Sequence, residues 1–323
     1  MTTRPAPEPL PRDLARAVAR ARGEVIVNPA SAGGATGRRW PGLEATLRRR
    51  GLRFAARFTR RPGEAGRLAR QAREDGARWV LCVGGDGTVN EVVNGLADAD
   101  GRVEEDIAIG FIPSGTGLDL ARNLGIPMRA SRAARVVGGA VRRIDLGRVR
   151  WRDGRQRLFL NMAGAGLDAE VAARAVALRR AVPGKLAYAL GILAVAPRFR
   201  PRRLMLSLDT PDGARTLALP ALMVVGCNAQ SYGGGMRLAP GARLDDGLLQ
   251  VVVVEALPPL VLLARLPSVY WGGHLRHPGL HLLPARRLEL SADAPTAIQA
   301  DGEPAGMLPA VIEVVPRAAT MLV

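Results

Sequence analysis

Residues 80–97 read VLCVGGDGTVNEVVNGLA. A smooth apolar run enters Gly84, Gly85, Asp86, Gly87 and Thr88, then continues into helix-forming sequence. Glycine loses more backbone freedom on folding than any other residue, so three in four positions are costly. A buried strand gains nothing from them. The pattern implies that another group comes very close to the backbone at this turn.

Similar punctuation closes two other strands. Residues 24–27 form a short apolar strand ended by NPASAGG, and residues 107–112 form one ended by PSGTG. Between them, Trp40, Leu43 and Leu47 share a helix face with Pro41 in the first turn, and residues 54–59 read as a strand. Ala65, Leu68, Ala69 and Ala72 line a helix that stops at Gly76. Residues 79–83 predict a strand, 89–97 a helix, and 118–124 a helix ended by Gly125. Strands alternating with helices predict an α/β domain, a parallel sheet with helices on both faces. In such sheets ligands bind beyond the carboxyl ends of the strands. Bare N–H groups followed by helix N-termini suit phosphate. Asp86 repels phosphate unless a cation mediates, which points to a Mg²⁺-nucleotide. Any one of these loops is most simply a tight connection; three in register are not. Neither a G-x-x-x-x-G-K-[ST] loop nor a G-x-G-x-x-G helix start after the first strand occurs, so P-loop and Rossmann sites are unsupported.

After Arg142 the rhythm changes. Residues 144–151, 157–162, 203–208, 217–227, 248–254, 287–290 and 297–300 predict strands, many without a helix between them, which suggests a β-sandwich. Helices are expected at 168–181 and 185–199. The expected division is a basic tail at 1–22, an α/β domain at 23–141 rejoined by 308–323, and a β-rich domain at 142–307. Two domains suit 323 residues.

The formal charge is +17, and of the 46 Lys+Arg only Lys185 is lysine. That balance attracts polyanions or anionic lipid surfaces, although a GC-rich genome also fills exposed faces with arginine. Aromatics are only 4%, with no basic-aromatic interleaving, which argues against nucleic acid. No apolar run reaches the roughly 20 residues that span a bilayer. Residues 1–22 contain no apolar stretch, so no secretory signal is expected. Cys82 and Cys227 lie in apolar runs and read as buried thiols of a reducing cytoplasm.

The segment GGDGTVNEVVNGL resembles the diacylglycerol kinase/sphingosine kinase family of lipid kinases. So do NPASAGG, IPSGTGLDLARNLGIP, IDLGRV, FLNMAGAGLDAEV, GKLAYAL, APGARLDDGLLQVVVV and QADGEP, in the family's order and over nearly the whole chain. The resemblance implies an N-terminal domain like those of phosphofructokinases and NAD kinases, a C-terminal β-sandwich, and ATP in the cleft between them. It implies a nucleotide site at Asn28, Pro29, Ala30, Ser31, Ala32, Thr59, Gly84, Gly85, Asp86, Gly87, Thr88, Val89, Asn90 and Thr116.

Phosphoryl transfer to a hydroxyl needs positioning, charge neutralisation and a base. In the family the glutamate of the segment Asp301-Gly302-Glu303 takes the proton; Asp-Gly alone is an ordinary turn signal. The resemblance suggests that Asp145 joins a network of metal, water and phosphate, where the bland alternative is a pair with Arg142 or Arg143. Lys185 would reach the same network, its compact ammonium being no equivalent of arginine, or it stands there by chance. Arg243, Asp246 and Leu248 would hold a structural Mg²⁺, arginine and leucine through carbonyl oxygens; a simple turn is the alternative. His274, His277 and His281 fall around Pro278-Gly279, which breaks any shared helical face, so turn or surface histidines are expected rather than zinc ligands. Residues 186–196 read as a buried helix, with an interfacial role as the alternative.

Two departures stand out. Leu118 occupies the place where the family usually has asparagine, and Ala32 that of a common glycine; no lysine follows Ala32, so any charge at the first loop must come from Arg38 or Arg39. The expected function is ATP- and Mg²⁺-dependent phosphorylation of a lipid alcohol, diacylglycerol first, by a cytoplasmic protein touching the inner membrane face transiently. An NAD-kinase-like enzyme and a non-catalytic nucleotide- or lipid-binding protein are the alternatives, and a homodimer is left open.

Overall fold

The computed structural model describes residues 8–9, 21–134, 140–178, 182 and 184–323. Most of the basic tail expected at 1–22 lies outside these residues. The chain divides into two compact units, residues 1–144 with 317–323, and residues 145–316.

In the first unit, β1 (Gly23–Val27), β2 (Phe54–Phe58), β3 (Trp79–Gly84) and β4 (Ala108–Pro113) alternate with α1 (Ala35–Arg49), α2 (Glu64–Glu74), α3 (Asp86–Leu96), α4 (Asp119–Leu124) and a short α5 (Ala130–Ala133). All pairings are parallel, in the order β2-β1-β3-β4. Residues 320–322 of the last strand add beyond β4, also in parallel. Every residue of β1, β3 and β4 is buried, as expected for strands covered on both faces. Trp40, Leu43 and Leu47 are buried as the periodicity required, and Trp40 meets Phe54 edge to face. Because α1 starts at Ala35, Pro41 lies inside the helix rather than in its first turn. The helix after β3 likewise begins three residues earlier than expected, at Asp86. The strand order reverses between β1 and β3, and ligands of open α/β sheets bind at such a switch point.

The second unit is antiparallel. It contains the end of β5 (Ala140–Arg150), then β6 (Gln156–Phe159), β7 (Met162–Gly166), β8 (Arg202–Thr210), β9 (Gly213–Cys227), β10 (Leu249–Glu255), β11 (Leu280–Ala285), β12 (Arg287–Ala292), β13 (Ala297–Ala300), β14 (Glu303–Met307) and the start of β15 (Ala310–Leu322). The strand expected at 157–162 is broken, because Leu160 and Asn161 leave the ladder between β6 and β7. The long β9 pairs with β8 in its first half and with β7 and β10 in its second. One core gathers Phe159, Leu206, Val224, Val251, Leu288 and Ile312. A second lies under α6 (Leu167–Leu178) and α7 (Gly184–Val195), with Val171, Tyr188, Ile192, Val225 and Val252.

The helix expected to be core is only half so. Ala187, Tyr188 and Ile192 of α7 are buried, whereas Leu186, Leu190 and Leu193 are exposed. A further helix, α8 (Pro259–Arg265), runs into a 3₁₀ segment, Leu266–Trp271.

Candidate active site

The first unit brings its three punctuated loops together. Asn28 donates from Nδ2 to Thr88 Oγ1 at 3.0 Å, and its own N–H reaches Val83 O. Ser31 donates to Ser114 O at 2.7 Å, and buried Thr36 bonds Ser31 and Ser114 at once. Ser114 N–H donates to Gly84 O at 2.7 Å. A Cβ on Gly115 would stand 2.6 Å from Gly85 Cα, so the second and third loops touch backbone to backbone.

Within this frame the expected nucleotide residues divide by what they can offer. Ala32 has φ 52° and is followed by Gly33 and Gly34 at 63° and 82°, a left-handed run that opens α1 with no side-chain cap. Arg38 folds back to within 3.2 Å of a Cβ built on Gly34, which puts its guanidinium beside this loop. Pro29 and Ala30 accept from Gly37 N–H and Gly34 N–H. Thr59 ties the end of β2 to Val27 O through its own N–H. Gly85 caps α3, again without a side-chain bond, and Gly87 is exposed with open space where a Cβ would sit. Gly84 has an internal reason for its glycine: a Cβ would strike Thr88 at 2.7 Å. Val89 is wholly buried, and Asn90, also buried, accepts from Asn94 Nδ2 through its carbonyl and its Oδ1. Thr116 is exposed at the tip of the third loop.

Asp86 has main-chain partners for both carboxylate oxygens, yet burial outweighs them and raises its carboxyl above the usual range. Its two oxygens accept the N–H groups of Asp119 at 3.0 Å and Leu120 at 3.0 Å, where they cap α4 and tie the second loop to the third. Leu118 precedes that helix with φ 58°, a left-handed conformation in which asparagine is far commoner than leucine.

In the second unit Asp145 is 1% exposed. Its N–H donates to Leu244 O at 2.6 Å, its carboxylate accepts Gly247 N–H at 2.7 Å, and Asn228 Nδ2 donates to its carbonyl. Asp145 therefore sits on the turn holding the expected metal residues, and Arg143 pairs with Glu105 instead. Asp246 accepts Leu248 N–H at 3.1 Å, and Arg243 binds Asp245, which leaves Arg243 only its carbonyl to offer. Burial, and next to it the charge of Asp145, lift the Asp246 carboxyl above its usual range. Among the described residues no three His, Cys, Asp or Glu side chains gather as a metal site. The turn's own oxygen donors, one carboxylate with carbonyls beside a second carboxylate, nevertheless suit a hard divalent cation that would relieve that repulsion. Lys185 lies in the first turn of α7, and its side chain is outside the described residues.

Glu303 opens β14, directly after the tight turn Asp301-Gly302. Asp301, at φ 50°, accepts the N–H groups of Leu160, Asn161 and Met162, so the break between β6 and β7 is held by the turn that presents Glu303. Gln299 accepts Gly302 N–H at 2.7 Å and donates to Asp168 at 2.6 Å. Asp168 also receives the hydroxyls of Tyr188 and Tyr232, both at 3.1 Å. Burial outweighs these donors and raises the Asp168 carboxyl. Asp168 and both tyrosines line a cavity of about 80 Å³ whose other walls are mostly apolar, including Val171, Ile192, Leu262 and Leu266. Sequence reasoning gave none of these polar residues a role. The available signal was a carboxylate, Asp168, in an otherwise apolar stretch that opens a helix.

The histidines separate. His274 lies in the 3₁₀ turn Gly273–Arg276, buried, with Nε2 at 3.0 Å from Leu238 O, and His281 pairs with Glu255.

Residues 22–149 match the family model of the diacylglycerol kinase catalytic domain. Residues 161–323 match the YegS C-terminal NAD kinase beta sandwich-like domain. A diacylglycerol kinase of Mycobacterium tuberculosis is 32% identical, over 92% of this chain and 93% of that protein. The chain belongs to the diacylglycerol kinase family. A diacylglycerol kinase of Bacillus subtilis is 29% identical over 89% of this chain and 91% of its own length. The crystal structure of a diacylglycerol kinase from Bacillus anthracis shares the fold at TM-score 0.68 and 19% identity, covering 93% of this chain and 96% of that one. Membership of this lipid kinase family accounts for an α/β unit and a β-sandwich in one chain.

Proposed function

We propose that this lipid kinase transfers the γ-phosphoryl group of ATP to a lipid hydroxyl, most directly that of diacylglycerol. The observation that carries the reading is the welding of three glycine-containing loops, at the strand switch point, by bonds through Asn28, Ser31, Thr36, Asp86 and Ser114. Such a cradle presents main-chain N–H groups and the positive ends of α1 and α3 to phosphate. Gly87 leaves room for close approach, and Arg38 adds charge at the first loop. Magnesium carried with the nucleotide would screen the phosphate charges, and a second ion at Arg243, Asp246 and Leu248 would stiffen the turn around Asp145.

In the transfer, the lipid oxygen bonds to the γ-phosphorus, the bond to the ADP oxygen breaks, and the hydroxyl proton passes to Glu303. Asp301 and Gln299 fix the turn from which Glu303 projects. The mostly apolar cavity lined by Asp168, Tyr188 and Tyr232 would receive the lipid's acyl chains. Among the described residues no helix is long and apolar enough to cross a membrane. We take the enzyme to meet its substrate at the inner membrane face, where the outward leucines of α7 contribute to contact.

The test is incubation with γ-labelled ATP, Mg²⁺ and a total lipid extract, followed by identification of the labelled product. A labelled lipid phosphate supports the reading. Labelled NADP with no lipid product, or nucleotide binding with no product at all, overturns it.

A further inference from the structure

We infer that α8 and the 3₁₀ segment after it form a membrane-docking element for an anionic bilayer. The inference rests on the lipid-kinase reading. It concerns a surface separate in sequence from α7.

The α8 sequence is PLVLLAR, and neither it nor Leu266–Trp271 contains one buried residue. An apolar helix on a globular unit ordinarily buries its stripe. Here one side is satisfied: Leu262, Leu263, Leu266 and Val269 pack partly against the core beneath α6 and α7. Other apolar residues of the run stand in solvent. Leu260 is 82% exposed, Trp271 66% and Tyr270 52%. Three large apolar side chains standing outward on a 13-residue helical run need an occupant.

Chemistry selects which one. Residues 256–284 carry Arg265 and Arg276 and no aspartate or glutamate, and Glu255 just before them is paired with His281. Leucine with tryptophan, tyrosine and arginine is the composition that settles at a headgroup boundary, the rings at headgroup level and the cations on anionic lipid. Each arginine held near such a surface strengthens binding by about fivefold. A second copy of the chain would bring the same cationic face, on a molecule of formal charge +17, and is disfavoured by it. The same segment supplies Leu257, Leu262, Leu266 and Val269 to the cavity that holds Asp168. Docking therefore sets the bilayer against the segment that walls the proposed lipid pocket.

The experiment is co-sedimentation with vesicles of phosphatidylglycerol and phosphatidylcholine in equal parts, and with phosphatidylcholine alone. The intact chain should bind the anionic vesicles better, and Leu260→Glu should lower that partition by on the order of tenfold or more. Trp40 and Trp79 are buried and Trp151 is partly buried against the core under Arg155, so Trp271, 66% exposed, is the tryptophan expected to answer to lipid: its emission should shift to the blue and be quenched by brominated lipid. Trp271→Ala should remove that signal. Wild-type sedimentation of Leu260→Glu, or an unquenched Trp271, overturns the inference. So does a dimer that Leu260→Glu converts to monomers while vesicle binding is unchanged. Short-chain diacylglycerol supplied as monomers separates this inference from the reading beneath it. Docking predicts that Leu260→Glu phosphorylates the monomer as the wild type does, while losing activity on vesicles. Vesicle binding lost in the variant with no lipid phosphorylated by either protein would uphold docking and defeat the kinase reading.

Discussion

Replacing Gly115 by alanine tests whether contact between the loops, rather than the presence of glycines, makes the nucleotide site. The added Cβ would lie 2.6 Å from Gly85 Cα and 3.4 Å from Gly85 N and Leu118 Cδ2. Ordinary contact begins near 3.4 Å, so the second and third loops must part by about 0.8 Å. Backbone cannot swing aside as a side-chain tip can, so the cost should be that of core overpacking, about 1–3 kcal/mol. The Ser114 to Gly84 bond of 2.7 Å spans the same gap and would lengthen. A misplacement approaching 1 Å in a site that works by positioning lowers turnover by roughly 100-fold. Gly87→Ala is the counterpart. Its methyl meets nothing within 4 Å and the residue lies in α3, so stability should rise by up to about 1 kcal/mol. If phosphate sits against that backbone, losing one charge-assisted hydrogen bond of about 1.5–3 kcal/mol weakens ATP roughly tenfold to a hundredfold. Urea unfolding gives the stabilities and calorimetric titration the ATP affinities. A Gly115→Ala protein that matches the wild type in both, or a Gly87→Ala protein that binds ATP unchanged, would refute the reasoning.

Asp301→Ala strands three buried N–H groups and puts alanine at φ 50°, so urea unfolding should show a loss of at least about 3 kcal/mol. Burial holds the His274 imidazole below its ordinary pKa. The unfolded chain then binds a proton that the folded one resists, so stability falls as pH drops below about 6.5. Comparing unfolding at pH 8 and pH 5.5, His274→Asn should lose less stability than the wild type; an equal loss contradicts this. Leu118→Asn trades about 1.5–3 kcal/mol of buried leucine against about 1–2 kcal/mol of relieved left-handed strain. Its thermal midpoint should shift by only a few degrees, and a collapse would show that the leucine holds the loop by packing.

How much of this was legible in the sequence depends on the range of the interaction. Parallel strands covered on both faces appear as unbroken apolar runs, so β1, β3 and β4 were plain. The glycine-rich strand ends were plain too, because turn chemistry is local. The starts of α1 and α3 were not, since Gly34 and Gly85 cap them with no side-chain bond to announce the boundary. The bonds that Asp86 accepts could not be read, because their donors lie 33 and 34 residues away. Gln299, Asp168, Tyr188 and Tyr232 are likewise brought together only by the fold, across separations of up to 131 residues. The leucines of α7 show the limit of hydropathy: an apolar helix tells nothing of which apolar residues face outward.

The central claim is tested most directly by Glu303→Gln, assayed for phosphate transfer from γ-labelled ATP to diacylglycerol in mixed micelles, alongside ATP affinity. Exchanging one carboxylate oxygen for an amide removes the base and little else. Turnover should fall about 10²–10⁴-fold while ATP binds within about twofold of the wild type. A variant that phosphorylates diacylglycerol at the wild-type rate would contradict the account.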